Sequence, residues 1–299
     1  MPATTSQWRS EIERIAWMLW IHDYSPLNMV TVLSGYNAYF DASYDGQNTQ
    51  DKQTVVAGYV STVEQWAQWE IQWRMALASF NVPYFHMRDF ITYEPPFSGQ
   101  RWKSESYRVR FLSTLIDITR EWAVATVGSA IKQSVFNFHN GFYELDSRYN
   151  PYVLCGRDCA VKVHRFIREE YRSELPIAYF FEQGDLGKGM LVEEMMASGL
   201  SAPSFKRPRP DPKNPSEPPA IQLQACDLIA WEIRRGNIDF EVKGRLRKSL
   251  HALSRIKHRK WAQITESDVQ TRINSAGIAL RPEWKYLEQF PRWAPQKRD

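Results

Sequence analysis

Cysteine is scarce in this chain: Cys155, Cys159 and Cys226 are the only three in 299 residues. A small odd number without a framework of spacings excludes a secreted disulfide scaffold. Cys155 and Cys159 lie one helical turn apart, but no second Cys/His pair at zinc spacing accompanies them, so buried thiols are the expectation. Long apolar runs are missing as well. None approaches the roughly 20 residues of a membrane span, and no membrane partner is expected. The first residues show no basic leader followed by an apolar run and a small-residue cleavage site, which makes a cytoplasmic location the expectation. There is no Walker A loop, no G-x-G-x-x-G after a strand and no G-x-S-x-G nucleophile elbow. The stretch GDLGKG (184–189) has the wrong spacing for a phosphate loop and no Ser or Thr after its Lys. No internal repeat is visible.

What the chain does have is apolar and aromatic mass. It is 43% hydrophobic and 14% aromatic, with 12 Trp, enough for a sizeable core between helices and a sheet. So many aromatics also allow an exposed apolar patch and a homo-oligomer. The formal net charge is +4 and the pI is near 8.8. That mild excess is compatible with a nucleic-acid partner and does not establish one.

The periodicities suggest an alternation of elements. Residues 7–20 read as an amphipathic helix, with Ile12, Ile15, Ala16 and Leu19 on one face. Residues 36–43 and 54–61 read as strands joined by the turn residues DGQNTQDK, an antiparallel hairpin. Ser61 and Glu64 form a capping-box pattern for a helix over 62–80. On it Trp66, Trp69, Trp73, Leu77 and Phe80 recur at helical spacing, a core-facing stripe. Pro83 to His86 suggest a short strand and MRDFITYEPPFSGQ a long loop. Residues 104–121 read as a helix, 122–132 as a strand, 155–172 as a helix, IAYFFEQGD after Pro176 as a strand and 188–198 as a short helix. The Pro-rich stretch 201–219 cannot be regular helix or central strand. Residues 221–235 read as a helix, and 243–260 as a basic one. The implied organisation is an N-terminal helical extension (1–35), a core domain (36–235) with an inserted loop at 201–219, and a basic helical extension (236–299). The fold class is α/β, a mixed sheet flanked by helices.

Three places put acids where apolar structure ends. Asp41 sits where a strand gives way to a polar turn. Glu182 follows the apolar run Ala178 to Phe181, with Asp185 just beyond. Asp227 lies beside the buried stripe Leu223, Cys226, Ala230 and Ile233, and Gln224 shares its neighbouring face at i and i+3. A buried carboxylate needs a cation, a donor or water. Acids meeting at a sheet edge raise one another's pKa unless a metal compensates. Oxygen-only ligands favour Mg²⁺ or Mn²⁺, and two such ions about 4 Å apart suit phosphodiester hydrolysis. Asp41 is then the bridging ligand, with Glu182 or Asp185 and Asp227 holding one ion each. Other roles stay open. Asp41 and Asp45 can be turn residues, Glu182 and Asp185 can cap the next helix, and Asp227 can pair with Arg234, Arg235 or the basic loop. His86 and Asp89 are secondary candidates: the histidine either shuttles a proton or orients substrate, or simply packs at a strand end.

In order, FDASYDG (40–46), FHMRDF (85–90), FFEQGD (180–185) and QLQACDLIAW (222–231) are similar to the motifs of the domain-of-unknown-function 3800 family. The similarity runs from about residue 37 to 235. That family resembles ribonuclease-H-like nucleases in its arrangement of acids. The resemblance implies a ribonuclease-H-like fold, metal-dependent cleavage of DNA or RNA, and Asp41, Glu182 or Asp185, and Asp227 as the acids. The family's usual Glu after the first Asp is Ala42 here, and its Gly is displaced to Gly46. One oxygen ligand is thereby lost unless Asp45 replaces it.

Charge distribution adds to the nucleic-acid expectation. Residues 243–260 hold eight Lys/Arg and no acid, with Leu246, Leu250 and Leu253 as an apolar stripe, a face suited to tracking phosphates. Lys243, Arg245, Arg247 and Lys248 are its candidates. Lys206, Arg207 and Arg209 of the Pro-rich loop are the second group. Trp102, Tyr107 and Trp231 are candidates for base stacking, with packing the plainer role. The leading expectation is a Mg²⁺- or Mn²⁺-dependent nuclease. The alternatives are a nucleic-acid-binding protein with a degenerate site, and a regulatory protein of a mobile-element or phage-defence setting.

Overall fold

The computed structural model describes residues 35–44, 52–210, 217–283 and 285. The helix expected over 7–20 and the residues Asp45 and Gly46 lie outside these. In chain order the elements are β1 (Tyr36–Tyr44), β2 (Gln53–Thr62), α1 (Val63–Ser79), α2 (Met87–Thr92), α3 (Glu105–Trp122), β3 (Ala125–Lys132), α4 (Gln133–Phe142) and α5 (Pro151–Arg165), which runs on into a π-helical turn. Then come β4 (Ile177–Glu182), α6 (Lys188–Ala197), β5 (Ser204–Lys206), α7 (Leu223–Lys243), α8 (Lys248–Leu253), β6 (His258–Gln263) and α9 (Glu266–Ala276).

The strands form one mixed sheet in the order β5-β4-β1-β2-β3-β6. The expected hairpin is present, with β1 antiparallel to β2 and β2 antiparallel to β3. The β1–β4, β4–β5 and β3–β6 pairs are parallel. The run β3-β2-β1-β4-β5 is compatible with the ribonuclease-H-like arrangement expected from the motifs.

Side chains alternate between two cores, as the pleat requires. Tyr39, Val55, Ala57 and Tyr59 face α1, α2, α3, α7 and α8, whereas Ala38, Phe40, Val56 and Phe181 face α4, α5, α6 and α9. The tryptophan stripe of α1 is core, as expected. Trp66, Trp69 and Trp73 are buried, and their indole N–H groups donate to Asn37 O, Thr119 Oγ1 and Gln224 Oε1. Trp102 is also fully buried, and all three cysteines are buried thiols. Helix α7 packs on β1 and β2 and passes close over residue 128 of β3. A Cβ there would stand 2.8 Å from Ile233 Cδ1.

Several local expectations are corrected. The cap of α1 is a Thr62–Gln65 box rather than Ser61–Glu64; Ser61 instead donates to Trp122 O. Residues 83–86 are not a strand, and the stretch expected as a loop opens with α2. Tertiary hydrogen bonds from α7 hold the start of that short helix. The basic stretch 243–260 is not one helix. Gly244, at φ 65°, ends α7 at Lys243 in a left-handed cap, α8 is short, and the chain then enters β6. The segment expected as an appended extension therefore supplies an edge strand of the sheet. The helices α4 and α9 were not anticipated.

Candidate active site

Strands β1 and β4 are registered Phe40 opposite Phe181. One residue further, each strand carries an acid, Asp41 or Glu182. Phe40 and Phe181 belong to the far core, so by alternation both acids point to the α7 side. Tyr39 and Phe180 stack just beneath them, with ring centroids 4.7 Å apart. Helix α7 brings Asp227 over the same edge, anchored by the Cys226 thiol, which donates to Tyr39 O at 3.1 Å. After β4 the chain turns at Gly184, whose φ of +142° suits glycine. The turn returns Asp185 to the edge, where its Oδ1 accepts the Tyr44 hydroxyl at 2.8 Å. Asp41, Glu182, Asp185 and Asp227 thus line one open pocket of about 200 Å³, together with Ala42, His86, Gln183 and Gly184. It lies at the carboxyl ends of the parallel pair, the usual place for ligands in open α/β sheets.

The acids repel one another. Burial pushes Asp41 well above the usual carboxylate range, and Glu182 and Asp227 push it further. Burial lifts Asp227 to about 6 against the opposing pull of His86 and the Met87 N–H, with Glu182 and Asp89 adding to the rise. Burial likewise lifts Asp185 to about 6, with Tyr44 lowering it and Glu182 raising it. The Tyr152 hydroxyl is buried without a hydrogen-bond partner, and burial followed by Asp185, Asp41 and Glu182 disfavours its ionisation.

The plainer roles of these acids are not what the geometry favours. Helix α6 begins at Lys188 behind Gly187 with no side-chain cap, so Glu182 and Asp185 do not cap it. Arg235 pairs with Asp239 at 3.6 Å, and Arg234 Nε donates to Ser43 Oγ at 2.9 Å. Asp227 Oδ2 instead accepts the Met87 N–H at 2.5 Å. One turn earlier, Gln224 Oε1 accepts the Phe85 N–H at 2.9 Å. Between these two anchored residues His86 is presented to the pocket. Its Nδ1 stands 3.0 Å from Asp89 Oδ1 without the alignment of a hydrogen bond.

The two groups of basic candidates sit differently. Lys206 lies opposite Glu182 in the β4–β5 register and bonds Glu217 at 3.0 Å. Arg209 covers the Tyr84 ring at 4.4 Å and stands 3.7 Å from Asp89 Oδ2, while Arg207 is exposed. The loop group is therefore tied to the pocket wall. Lys243 and Arg247 are instead paired with acids of α7. Lys243 contacts Asp239 at 3.1 Å; Arg247 contacts Glu232 at 3.1 Å and lies over Trp231. Arg245 and Lys248 are exposed. The uniform positive sign of 243–260 is thus offset by α7, outside that window.

Sequence reasoning missed Tyr44 and Tyr152. The first follows Asp41 on β1 and was legible as a strand-end aromatic. The second comes from α5, a helix of the other layer, with no local signal. The fold and site define an α/β protein with a mixed sheet and an acidic pocket at its strand ends. Comparison with protein-family models, curated proteins and solved structures returned no match.

The donor set has the chemistry of a divalent-cation site. The acids offer only oxygen, they are mutually repelling and partly buried, and an unsatisfied hydroxyl lies beside them. That chemistry suits Mg²⁺ or Mn²⁺. The fit is one of donor type and charge rather than preset spacing: among the described residues no three His, Cys, Asp or Glu side chains are grouped to hold an ion.

Proposed function

We propose that the protein is a metal-dependent nuclease that hydrolyses phosphodiester bonds of DNA or RNA. The observation that carries this reading is the meeting of Asp41, Glu182, Asp185 and Asp227 around one open pocket. Asp41, Glu182 and Asp227 are the residues to hold Mg²⁺ or Mn²⁺, with Asp185 as the fourth carboxylate. A divalent cation in such a site supplies a more acidic water and charge stabilisation for the leaving oxygen. The chain's own groups do the rest. The Tyr44 hydroxyl holds Asp185 in place. The Met87 N–H holds Asp227. His86 is the group that moves a proton at the pocket rim, presented there by the anchored Phe85 and Met87 on either side of it. Lys206 and Arg209 attract the phosphate backbone on the loop side.

The test is calorimetric titration of Mn²⁺ and Mg²⁺ into the native protein and Asp41→Asn, followed by cleavage assays on mixed DNA and RNA with and without EDTA. Metal binding lost in the variant, with EDTA-sensitive cleavage by the native chain, is the expected outcome. Native protein that binds neither metal nor nucleic acid overturns the reading.

Ala42 favours a second reading. It lines the pocket at the position where the resembled family carries a Glu. A chain with one ligand fewer acts as a nucleic-acid-binding protein with a degenerate site. Salt-sensitive binding without turnover is its signature.

A further inference from the structure

Gln224 uses three of the four hydrogen-bonding positions of its side-chain amide. It is buried, and each end of its amide is used. Oε1 accepts from Trp73 Nε1 at 3.0 Å and from Phe85 N at 2.9 Å. Nε2 donates to Pro208 O at 2.9 Å. One side chain therefore joins three walls: helix α1, the segment that presents His86, and the basic Pro-rich loop. Only an amide of this length can accept two N–H groups at one end and donate at the other; ionised Glu donates nothing and Met does neither.

A second link runs parallel to the first. Arg209 follows Pro208, and its guanidinium reaches Tyr84 and Asp89 on either side of the same His86 segment. The loop is fastened at its base as well, by Ala220 N to Arg207 O at 2.8 Å and by Lys206 to Glu217. The loop's carbonyl at 208 and the backbone N–H at 85 are thus held by one buried group, adjacent on α7 to Asp227.

We propose that Gln224 is a positioning residue that locks the basic loop to the His86 segment, so that a polynucleotide strand gripped by the loop is set in register with the acidic pocket. The coupling is a property of the fold, while the identity of the strand rests on the nuclease reading above. Gln224 touches no substrate; it acts through Phe85 and Pro208.

The experiment uses the full chain and compares Gln224→Met with Trp261→Phe. The second removes the hydrogen bond from the Trp261 indole on β6 to Thr126, at the sheet edge opposite the loop strand β5. Amide hydrogen exchange is followed in peptides covering 84–90 and 204–210. Gln224→Met is expected to speed exchange in both peptides by about 5- to 10-fold, the weight of one buried hydrogen bond, while Trp261→Phe leaves both unchanged. With a fluorescent single-stranded oligonucleotide, Gln224→Met is expected to raise KM and lower kcat together, and Trp261→Phe to move neither. Should Gln224→Met fail to fold, the native chain gives the same information: the oligonucleotide is expected to slow exchange at 84–90 as well as at 204–210. Exchange that rises in one peptide alone, rises evenly over the whole chain, or is slowed by the oligonucleotide only at the loop overturns the coupling. Coupled exchange in a chain that cleaves and binds no nucleic acid keeps the coupling and removes the nuclease reading. Cleavage without coupled exchange does the reverse.

Discussion

Glu194 and Asp41 are both almost fully buried, at 3% and 7% exposure, on opposite faces of the sheet. Their neighbours differ in sign. Glu194, on α6, accepts the Tyr149 hydroxyl at 2.8 Å, pairs with the Arg272 guanidinium of α9 and has Arg148 at 3.5 Å. Arg272 Nε also donates to Tyr149. Asp41 is surrounded by Glu182, Asp185 and Asp227 instead. The first acid is neutralised inside the fold and ties α9 to α6. The second faces further acids and meets no cation among the described groups that surround it. A buried carboxylate is thus read by what faces it, because burial alone does not distinguish a structural pair from a ligand set.

The comparison can be broken in four ways. The largest effect belongs to the neutralised side. Arg272→Met leaves Glu194 buried beside a weaker partner and is expected to cost about 3–5 kcal/mol of stability, read as a drop in denaturant midpoint. Loss of less than 1 kcal/mol would show that water already compensates Glu194. On the other side, Asp41→Asn is expected to remove the heat of Mn²⁺ binding and lower any cleavage by more than about 100-fold, with the fold intact by circular dichroism.

The third effect is a pH dependence. Asp185 and Asp227 ordinarily titrate near 3.8 and are raised to about 6 in the fold. The folded chain therefore holds protons that the unfolded chain has released. Metal-free stability is fully present below about pH 4 and falls as pH rises through about 6, by up to about 3 kcal/mol for each of the two groups. Denaturant titrations across that range check this, and added Mn²⁺ is expected to flatten the slope. Stability that rises with pH over the same window, once other acids are accounted for by Asp41→Asn, contradicts the repelling cluster. The smallest effect separates the basic groups. Arg209→Ala is expected to reduce the salt slope of oligonucleotide binding by about one, whereas Lys243→Ala, at the far end of α7 and about 24 Å along the helix from Asp227, leaves that slope unchanged and costs under about 1 kcal/mol.

Much of the sheet and its acids was legible. β1 and β2 alternate and are separated by turn residues, and Asp41 and Glu182 each terminate an apolar run. Asp227 stood out because its helix is otherwise apolar at that position. What escaped depends on distant partners. β6 reads HRKWAQ, too charged to signal a strand, because it is an edge that needs only the neighbour β3. The helix α2 looked like a loop because the groups that hold its start, Gln224 and Asp227, lie some 140 residues away. The basic stretch looked like one phosphate-binding helix because Glu232 and Asp239, which take up Arg247 and Lys243, precede it on α7. Gln224 was noted only as a neighbour of Asp227; neither Phe85 nor Pro208 is visible from its own helix.

The side-by-side pairing of β1 with β4 also constrains how chain length can vary. In a two-residue repeat, one inserted or deleted residue before Asp41 or Glu182 turns that acid into the opposite helix layer, where Phe40 and Phe181 now pack. No partial version of the acid pair survives such a slip. Length changes between natural variants of this chain should therefore collect in residues 45–51 and 211–216 and spare both strands, a pattern that sequencing of close relatives can contradict outright.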